Sequence, residues 1–202
     1  ALAARLRLPE RTVRNEIELL REQGLLVSNP AGMEVTAAGE RILGELKEYV
    51  RELRGLSDLE RRLSRLLGLQ QVIIVPGDSD EDETVKKEMA KATARYLKTV
   101  LRDGEVLAVT GGTTLAEVAR SFPTSGEKRD VMVVPARGGL GEEVEKQANT
   151  VAANIAERLG GVYRLLHVPD DVGDDVIASL CSDPKIKEML DLIKETDMVL
   201  HG

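Results

Sequence analysis

Apolar residues at the start of the chain recur at helical spacing. A short apolar face over residues 2–6 predicts a first helix, and Pro9 suits the start of a second, because its missing N–H costs nothing there. The second helix is predicted over residues 10–23 and ends at Gly24. Three apolar positions at i, i+4 and i+7 form its predicted buried stripe: Val13, Ile17 and Leu20.

A β-hairpin is predicted directly after these helices. Residues 25–27 favour a strand, residues 28–32 have turn chemistry, and residues 33–35 favour a returning strand. Two short helices joined by a tight turn and followed by a hairpin are the plan of a winged helix-turn-helix DNA-binding domain. A complete winged domain has a further helix before Leu2, so we expect residues 1–35 to be a partial one.

The second helix of such a domain enters the major groove of DNA. The polar side chains near its start that lie off the buried stripe are the types that reach phosphates and base edges: Arg11, Thr12, Arg14 and Asn15. Residues 1–35 carry five Arg and five Glu, so a plain helical hairpin with a solvated charged face is the alternative.

Residues 36–68 form a second helical segment. Thr36 is suited to cap a helix that starts at Ala37, and Ser57 to Glu60 has the form of a capping box that starts another helix. Apolar residues spaced 4, 3, 4 and 3 apart form a heptad seam: Ile42, Leu46, Tyr49, Leu53 and Leu56. This pattern fits either one face of an internal bundle or a linker helix that dimerises.

Short apolar runs alternate with helical stretches over residues 69–202. The predicted strands are 72–75, 106–109, 131–134, 163–166 and 198–200. The predicted helices are 82–102, 115–121, 141–159, 174–181 and 184–195. Strands without polar alternation, separated by helices, indicate a doubly wound α/β fold with a parallel sheet covered on both faces. The first of these helices has a predicted buried side: Val85, Met89, Ala92, Tyr96 and Val100.

The amino-acid composition mainly excludes certain classes of binding site and location. Aromatic residues are only 2% of the 202 residues, which argues against a platform that stacks bases on aromatic rings. One Cys and two His exclude a disulfide framework and a Cys-rich zinc site, and we expect no metal. The chain has no run of ~18 apolar residues and no signal-peptide core, so we expect a cytoplasmic protein with no membrane contact.

Charge separates the two parts of the chain. Residues 1–68 have a net charge of +1 and residues 69–202 a net charge of −8, so a boundary near Gly68 is predicted. The total of −7 argues against wholesale coating of a polyanion, but it is compatible with one small surface that reads DNA.

Two predicted strands end in glycine turns that open helices. The first turn is Gly111, Gly112, Thr113 and Thr114, and the second is Arg137, Gly138, Gly139, Leu140 and Gly141. Hydroxyls and free N–H groups at a helix start favour a phosphate, and an arginine can clamp one. Because ligands of open α/β sheets bind at the carboxyl ends of strands, we expect both turns to hold one ligand with two phosphates, or with a phosphate and a sugar end. Gln147 and Asn149, in the first turns of the following helix, could reach hydroxyls of that ligand or could simply be exposed on the surface.

Catalytic groups are sparse. The dinucleotide fingerprint and the nucleotide P-loop are both absent. His167 lies at a strand end near Asp170 and could act as a general base, but we interpret it as a surface residue. Cys181 has no obvious partner and is predicted to be buried and inert. We therefore assign no catalytic residue; a phosphosugar isomerase or deaminase with a helical appendage is the alternative.

The ordered set of motifs resembles the SorC family of sugar-responsive bacterial transcription regulators. The resemblance runs over essentially the whole chain, through the helix-turn-helix at 9–14, the helical linker, and the motifs at 111–114, 137–141 and 147–149.

Several expectations follow from this resemblance. It implies a sugar-isomerase-like effector domain over residues 69–202 that continues beyond residue 202. It implies a phosphorylated sugar as effector and no other cofactor; for members that repress glycolytic genes, the effector is fructose 1,6-bisphosphate. It also implies operator binding as a homo-oligomer, a dimer or tetramer, which the sugar phosphate weakens. The phosphate and polar contacts carry over to Thr113, Thr114, Arg137 and Gln147.

Overall fold

The computed structural model describes residues 2–30, 32–123, 128–138, 143–169 and 173–202. The chain divides into two units after Ile74, residues 1–74 and residues 75–202. This division lies six residues beyond the boundary expected at Gly68.

The first unit begins with two helices and a hairpin. Its elements in chain order are α1 (Leu2–Leu6), α2 (Glu10–Glu22), β1 (Leu26–Asn29), β2 (Gly32–Val35), α3 (Ala37–Leu53) and α4 (Leu56–Leu67). Gly24 ends α2 with φ of 72°, a left-handed conformation that glycine adopts without strain. The strands β1 and β2 pair antiparallel, as predicted. The sequence pattern thus places these elements correctly to within one or two residues.

The start of α3 was predicted correctly, and the start of α4 was not. Thr36 caps α3, because its hydroxyl oxygen accepts from the backbone N–H of Gly39 at 3.1 Å. In contrast, α4 begins at Leu56, directly after Gly55 in a left-handed turn, and no side chain caps it. The predicted capping box at Ser57 is therefore wrong, because the glycine turn starts the helix two residues earlier.

The Glu60 carboxylate instead joins α3, α4 and the end of the first unit. It accepts from the Arg51 guanidinium at 2.5 Å and from the backbone N–H of Ile74 at 2.6 Å. Arg51 also donates to the Ile74 carbonyl at 2.9 Å. These bonds satisfy both backbone groups of Ile74, and residues 72–75 form no strand, which corrects the sequence prediction.

The second unit is built on a four-stranded parallel sheet. Its elements are α5 (Glu83–Val100), β3 (Val106–Val109), α6 (Thr113–Ser121), β4 (Met132–Pro135), a 3-10 turn (Val144–Lys146), α7 (Ala148–Leu159), β5 (Val162–Tyr163), α8 (Asp174–Ser182), α9 (Pro184–Lys194) and β6 (Met198–Leu200). The strand order is β5-β4-β3-β6, and all neighbours are parallel. The chain therefore steps outward from β3 to β5 and then returns to the other side of β3.

Each face of this sheet carries its own core. On one face, Leu107 and Val133 pack with buried residues of α5, α6 and α7. On the other face, Ala108 and Val134 pack with Leu166 and with Met189 of α9. Helices thus cover both faces, which confirms the predicted doubly wound α/β class.

The buried side of α5 differs from the predicted one. Ala90, Ala94 and Leu97 are buried, whereas Met89 is 37% exposed. Small alanines let α5 approach α6 closely, so the face with the smaller side chains turns inward. The spacing of apolar residues predicted the helix correctly, but the face that it predicted to be buried lies next to the face that is buried.

Candidate functional site

The turn after β3 leads straight into α6. Gly112 precedes the helix with φ of 117°, and a Cβ placed on it would find open space. No side chain caps α6; Thr113 is exposed and Thr114 is half-buried. The first N–H groups of α6 therefore lie behind a turn that only glycine adopts easily, with two hydroxyls beside them.

Gly111 is required by packing. A Cβ on Gly111 would lie far inside the contact distance of the Lys146 carbonyl oxygen and 3.0 Å from the backbone nitrogen of Ala148. The backbone N–H of Gly112 donates to the same Lys146 carbonyl at 2.8 Å. The turn after β3 is thus bonded to the segment that opens α7, and this brings Gln147, which is half-buried, next to the turn.

The end of β4 lies beside the end of β3. The two strands pair up to Val109 and Pro135, and the N–H of Ala136 then donates to the Val109 carbonyl at 2.7 Å. Arg137 follows and is exposed, and Gly138 is buried. The predicted site residues Gly139 and Leu140 lie outside the described residues. The described start of the second turn, Arg137 and Gly138, therefore lies at the same edge of the sheet as the turn after β3.

The end of β6 reaches this edge from the other side of β3. The N–H of Thr110 donates to the Leu200 carbonyl at 3.0 Å. A Cβ on Gly202 would lie 3.8 Å from the Cβ of Thr114. The order in which strands are added reverses at β3, because β4 and β5 lie on one side of it and β6 on the other. The carboxyl ends of β3 and β6 therefore flank the topological switch point, where open α/β sheets bind ligands.

Asn149 has a structural role that the sequence did not reveal. It is 7% exposed, donates from Nδ2 to the Leu166 carbonyl and accepts on Oδ1 from the Leu166 N–H, both at 2.9 Å. The expected contact of Asn149 with ligand hydroxyls is therefore not supported, because both ends of its amide are already bonded within the chain.

The four candidate DNA-reading residues lie on α2 and are exposed: Arg11, Thr12, Arg14 and Asn15. Val13, the start of the predicted stripe, is 6% exposed and Leu20 is 37% exposed. Arg14 pairs with Glu10 at 2.8 Å, and both side chains are largely exposed. Exposed pairs of this kind contribute little to stability.

The remaining candidates do not assemble into a reactive centre. His167 is exposed, and Asp170 lies outside the described residues. Cys181 is exposed on α8, so its predicted burial is wrong. Within the described ranges, no three acidic, His or Cys residues group as a metal site, and no helix is long and apolar enough to cross a bilayer.

Comparison with family models also divides the chain into two parts, but after residue 50 rather than after Ile74. Residues 51–202 match the family described as "Putative sugar-binding domain". Residues 1–50 match the CggR N-terminal DNA binding domain.

Among curated proteins, the chain is similar to two central glycolytic genes regulators. It is 46% identical to the one from Priestia megaterium and 41% identical to the one from Bacillus subtilis, each over all 202 residues and 59% of the relative. The chain thus spans about three-fifths of the length of these relatives.

Solved structures agree with the fold. A SorC family transcriptional regulator from Enterococcus faecalis is 38% identical, with a TM-score of 0.63 over 71% of this chain and 59% of that one. The full-length sorbitol operon regulator from Klebsiella pneumoniae shares the fold over 98% of this chain and 59% of that one, with a TM-score of 0.66 at 20% identity. The sugar-binding family model covers residues 51–202, which is most of the chain, and the chain therefore belongs to this family of sugar-binding domains.

Proposed function

We propose that this chain carries the DNA-binding and effector-binding parts of a repressor of central glycolytic genes. A phosphorylated sugar binds the second unit and weakens the binding of operator DNA by the first. The names of the two curated relatives support regulation of central glycolytic genes, and the two family models support a DNA-binding part and a sugar-binding part.

One observation carries the effector site: two neighbouring parallel strands end at the same sheet edge, one in the turn at 111–114 and the other in Arg137 and Gly138. Thr113 and Thr114 bind one phosphate through hydroxyls and helix N–H groups, while Arg137 binds a second phosphate. Fructose 1,6-bisphosphate has the two ends that this arrangement requires. Further contacts come from the remaining predicted residues: Gly111, Gly112, Gly138, Gly139, Leu140 and Gln147.

The DNA contact is assigned to the exposed start of α2. Arg11, Thr12, Arg14 and Asn15 carry donors for phosphates and base edges, while Val13 packs into the first unit. On this assignment, α2 is the recognition helix and the β1–β2 hairpin is the wing.

Assembly into a dimer or tetramer is supported by the exposed seam on α3. Leu46 is 52% exposed, Tyr49 58% and Leu53 69%, whereas Leu56 is covered within the chain. Large apolar side chains at heptad spacing on one helix are typical of a surface that packs against another helix. The protein acts in the cytoplasm on this proposal, where its sugar and DNA ligands meet.

Calorimetry with matched ligands tests the effector site. Fructose 1,6-bisphosphate and fructose 6-phosphate are titrated into wild type, Arg137→Ala and Thr113→Val, with Arg95→Ala on α5 as an exposed-arginine control. Loss of a charge-assisted bond costs about 1.5–3 kcal/mol, or about tenfold to a hundredfold in affinity. Arg137→Ala is expected to lower the affinity for the bisphosphate more than the affinity for the monophosphate.

Two results would contradict the assignment. Equal losses for both ligands on removal of Arg137 would exclude a two-ended site, and no loss would remove Arg137 from it. Turnover of either sugar phosphate in a parallel product assay would favour the enzymatic alternative over a sensor.

A further inference from the structure

Arg7 has an unusual backbone conformation. Its φ of 53° is left-handed, and among the described residues every other left-handed position is a glycine. Arg7 ends α1: its N–H donates to the Ala4 carbonyl at 3.2 Å, and the N–H of Leu8 donates to the Ala3 carbonyl at 3.1 Å. This hydrogen-bond pattern at a helix end favours glycine, because a Cβ in the left-handed region is strained.

Contacts within the chain do not account for an arginine here. The Arg7 side chain is exposed, and it forms no ion pair or hydrogen bond with a described residue. Arg14 and Arg21, by comparison, pair with Glu10 and Glu18 at 2.8 and 2.6 Å. A cation near the end of a five-residue exposed helix gains little from the helix dipole. The strained position therefore presents an available guanidinium to solvent.

The position of Arg7 relative to α2 indicates which ligand this guanidinium contacts. Arg7 lies two residues before Pro9, the residue that precedes α2, so it can be at most about 11 Å from the start of that helix. The candidate DNA-reading residues Arg11 and Arg14 follow within the first turns of α2.

We infer that Arg7 binds a DNA backbone phosphate and so helps to orient α2 on the duplex. Strained backbone positions cluster at functional sites, and phosphate contacts fix the register of a recognition helix without reading sequence. The inference rests on the proposed DNA-binding function and adds a residue outside the recognition helix. It assigns Arg7 to affinity rather than to sequence preference.

Opposite effects on folding and on binding test this role. Arg7→Gly relieves the strain and removes the cation, Arg7→Lys keeps a cation, and Arg95→Gln removes an exposed cation from α5 as the control. Thermal unfolding is measured for each protein. Affinity for a random-sequence DNA duplex is measured between about 50 and 200 mM salt.

Arg7→Gly is expected to melt at or above the wild-type temperature. It is also expected to bind the duplex about tenfold more weakly at low salt, with a log–log salt slope shallower by about one. Arg7→Lys should recover most of the affinity and the full slope, and Arg95→Gln should change neither.

The inference is overturned if Arg7→Gly binds with wild-type affinity and slope. It is also overturned if Arg7→Gly melts well below wild type, because Arg7 would then be a structural residue. A wild-type protein that binds neither random nor selected operator DNA would instead overturn the proposed function, and this inference with it.

Discussion

Asn149 and Leu166 close a two-bond ring, with the Asn149 amide donating to the Leu166 carbonyl and accepting from its N–H. β5 ends at Tyr163. Further along the chain, the Asn149 amide takes the place of a residue on a neighbouring strand, because it bonds both backbone groups of Leu166. It also fixes the first turn of α7, next to the turn that holds Gly111.

Asn149→Ala is expected to destabilise the second unit. The substitution leaves the buried N–H and carbonyl of Leu166 without partners, each of which costs about 1–3 kcal/mol. Urea unfolding compares it with Asn154→Ala, an exposed position on the same helix, which should change stability by no more than about 0.5 kcal/mol. Equal stability of the two variants would show that the ring contributes nothing.

Gly111→Ala is expected to damage both stability and ligand binding. Its Cβ would press into the Lys146 carbonyl and push the turn after β3 away from the segment that opens α7. Gly173→Ala is the matched control, because its Cβ meets open space and its φ of −65° suits alanine. Thermal unfolding and calorimetry with fructose 1,6-bisphosphate measure both effects. Wild-type behaviour of Gly111→Ala would contradict the tight packing of this turn against Lys146 and Ala148.

Arg14→Ala is expected to weaken operator binding without unfolding either unit. Its exposed pair with Glu10 contributes little to stability, whereas a base contact is worth about 1–3 kcal/mol. Footprinting on operator and random DNA separates the cases, because loss of a base contact alters sequence preference and loss of a phosphate contact weakens all sequences alike. Unchanged affinity for both DNAs would show that α2 is not the recognition helix.

The double substitution Leu46→Glu and Leu53→Glu is expected to lower the oligomeric state. Both leucines are more than half exposed on α3, so the carboxylates are tolerated in the monomer but repel across a helix pair. Sedimentation velocity measures the assembly, and circular dichroism checks the fold. If assembly and fold are both unchanged, the seam is not an interface between copies.

The sequence predicted those features that local pattern controls. The apolar runs of β3 and β4 and the helix-starting turn at Gly112 follow from side chains a few residues apart. The run at 72–75 looks the same, but Arg51 and Glu60, which are distant in sequence, occupy both backbone groups of Ile74. The spacing of apolar residues along the chain does not reveal contacts between residues so far apart in sequence.

The candidate site likewise has features that the local sequence predicts and contacts between distant residues that it does not predict. Placement of both turns at one sheet edge follows from parallel strands, which the sequence indicated. The approach of Gly111 to Lys146 and the pairing of Asn149 with Leu166 are contacts between separate elements. The sequence therefore indicates only that Asn149 could reach ligand hydroxyls, because its type suits them and its actual partner lies 17 residues away.

The central claim is that a bisphosphorylated sugar in the second unit controls DNA binding by the first. Fluorescence anisotropy of a labelled operator, titrated with protein with and without saturating fructose 1,6-bisphosphate, tests it most directly. The account predicts that the sugar weakens operator binding in wild type by about fivefold or more, and that Arg137→Ala keeps sugar-free operator affinity but needs a higher sugar concentration for the same effect. An operator affinity that does not change at any concentration of fructose 1,6-bisphosphate would contradict the account.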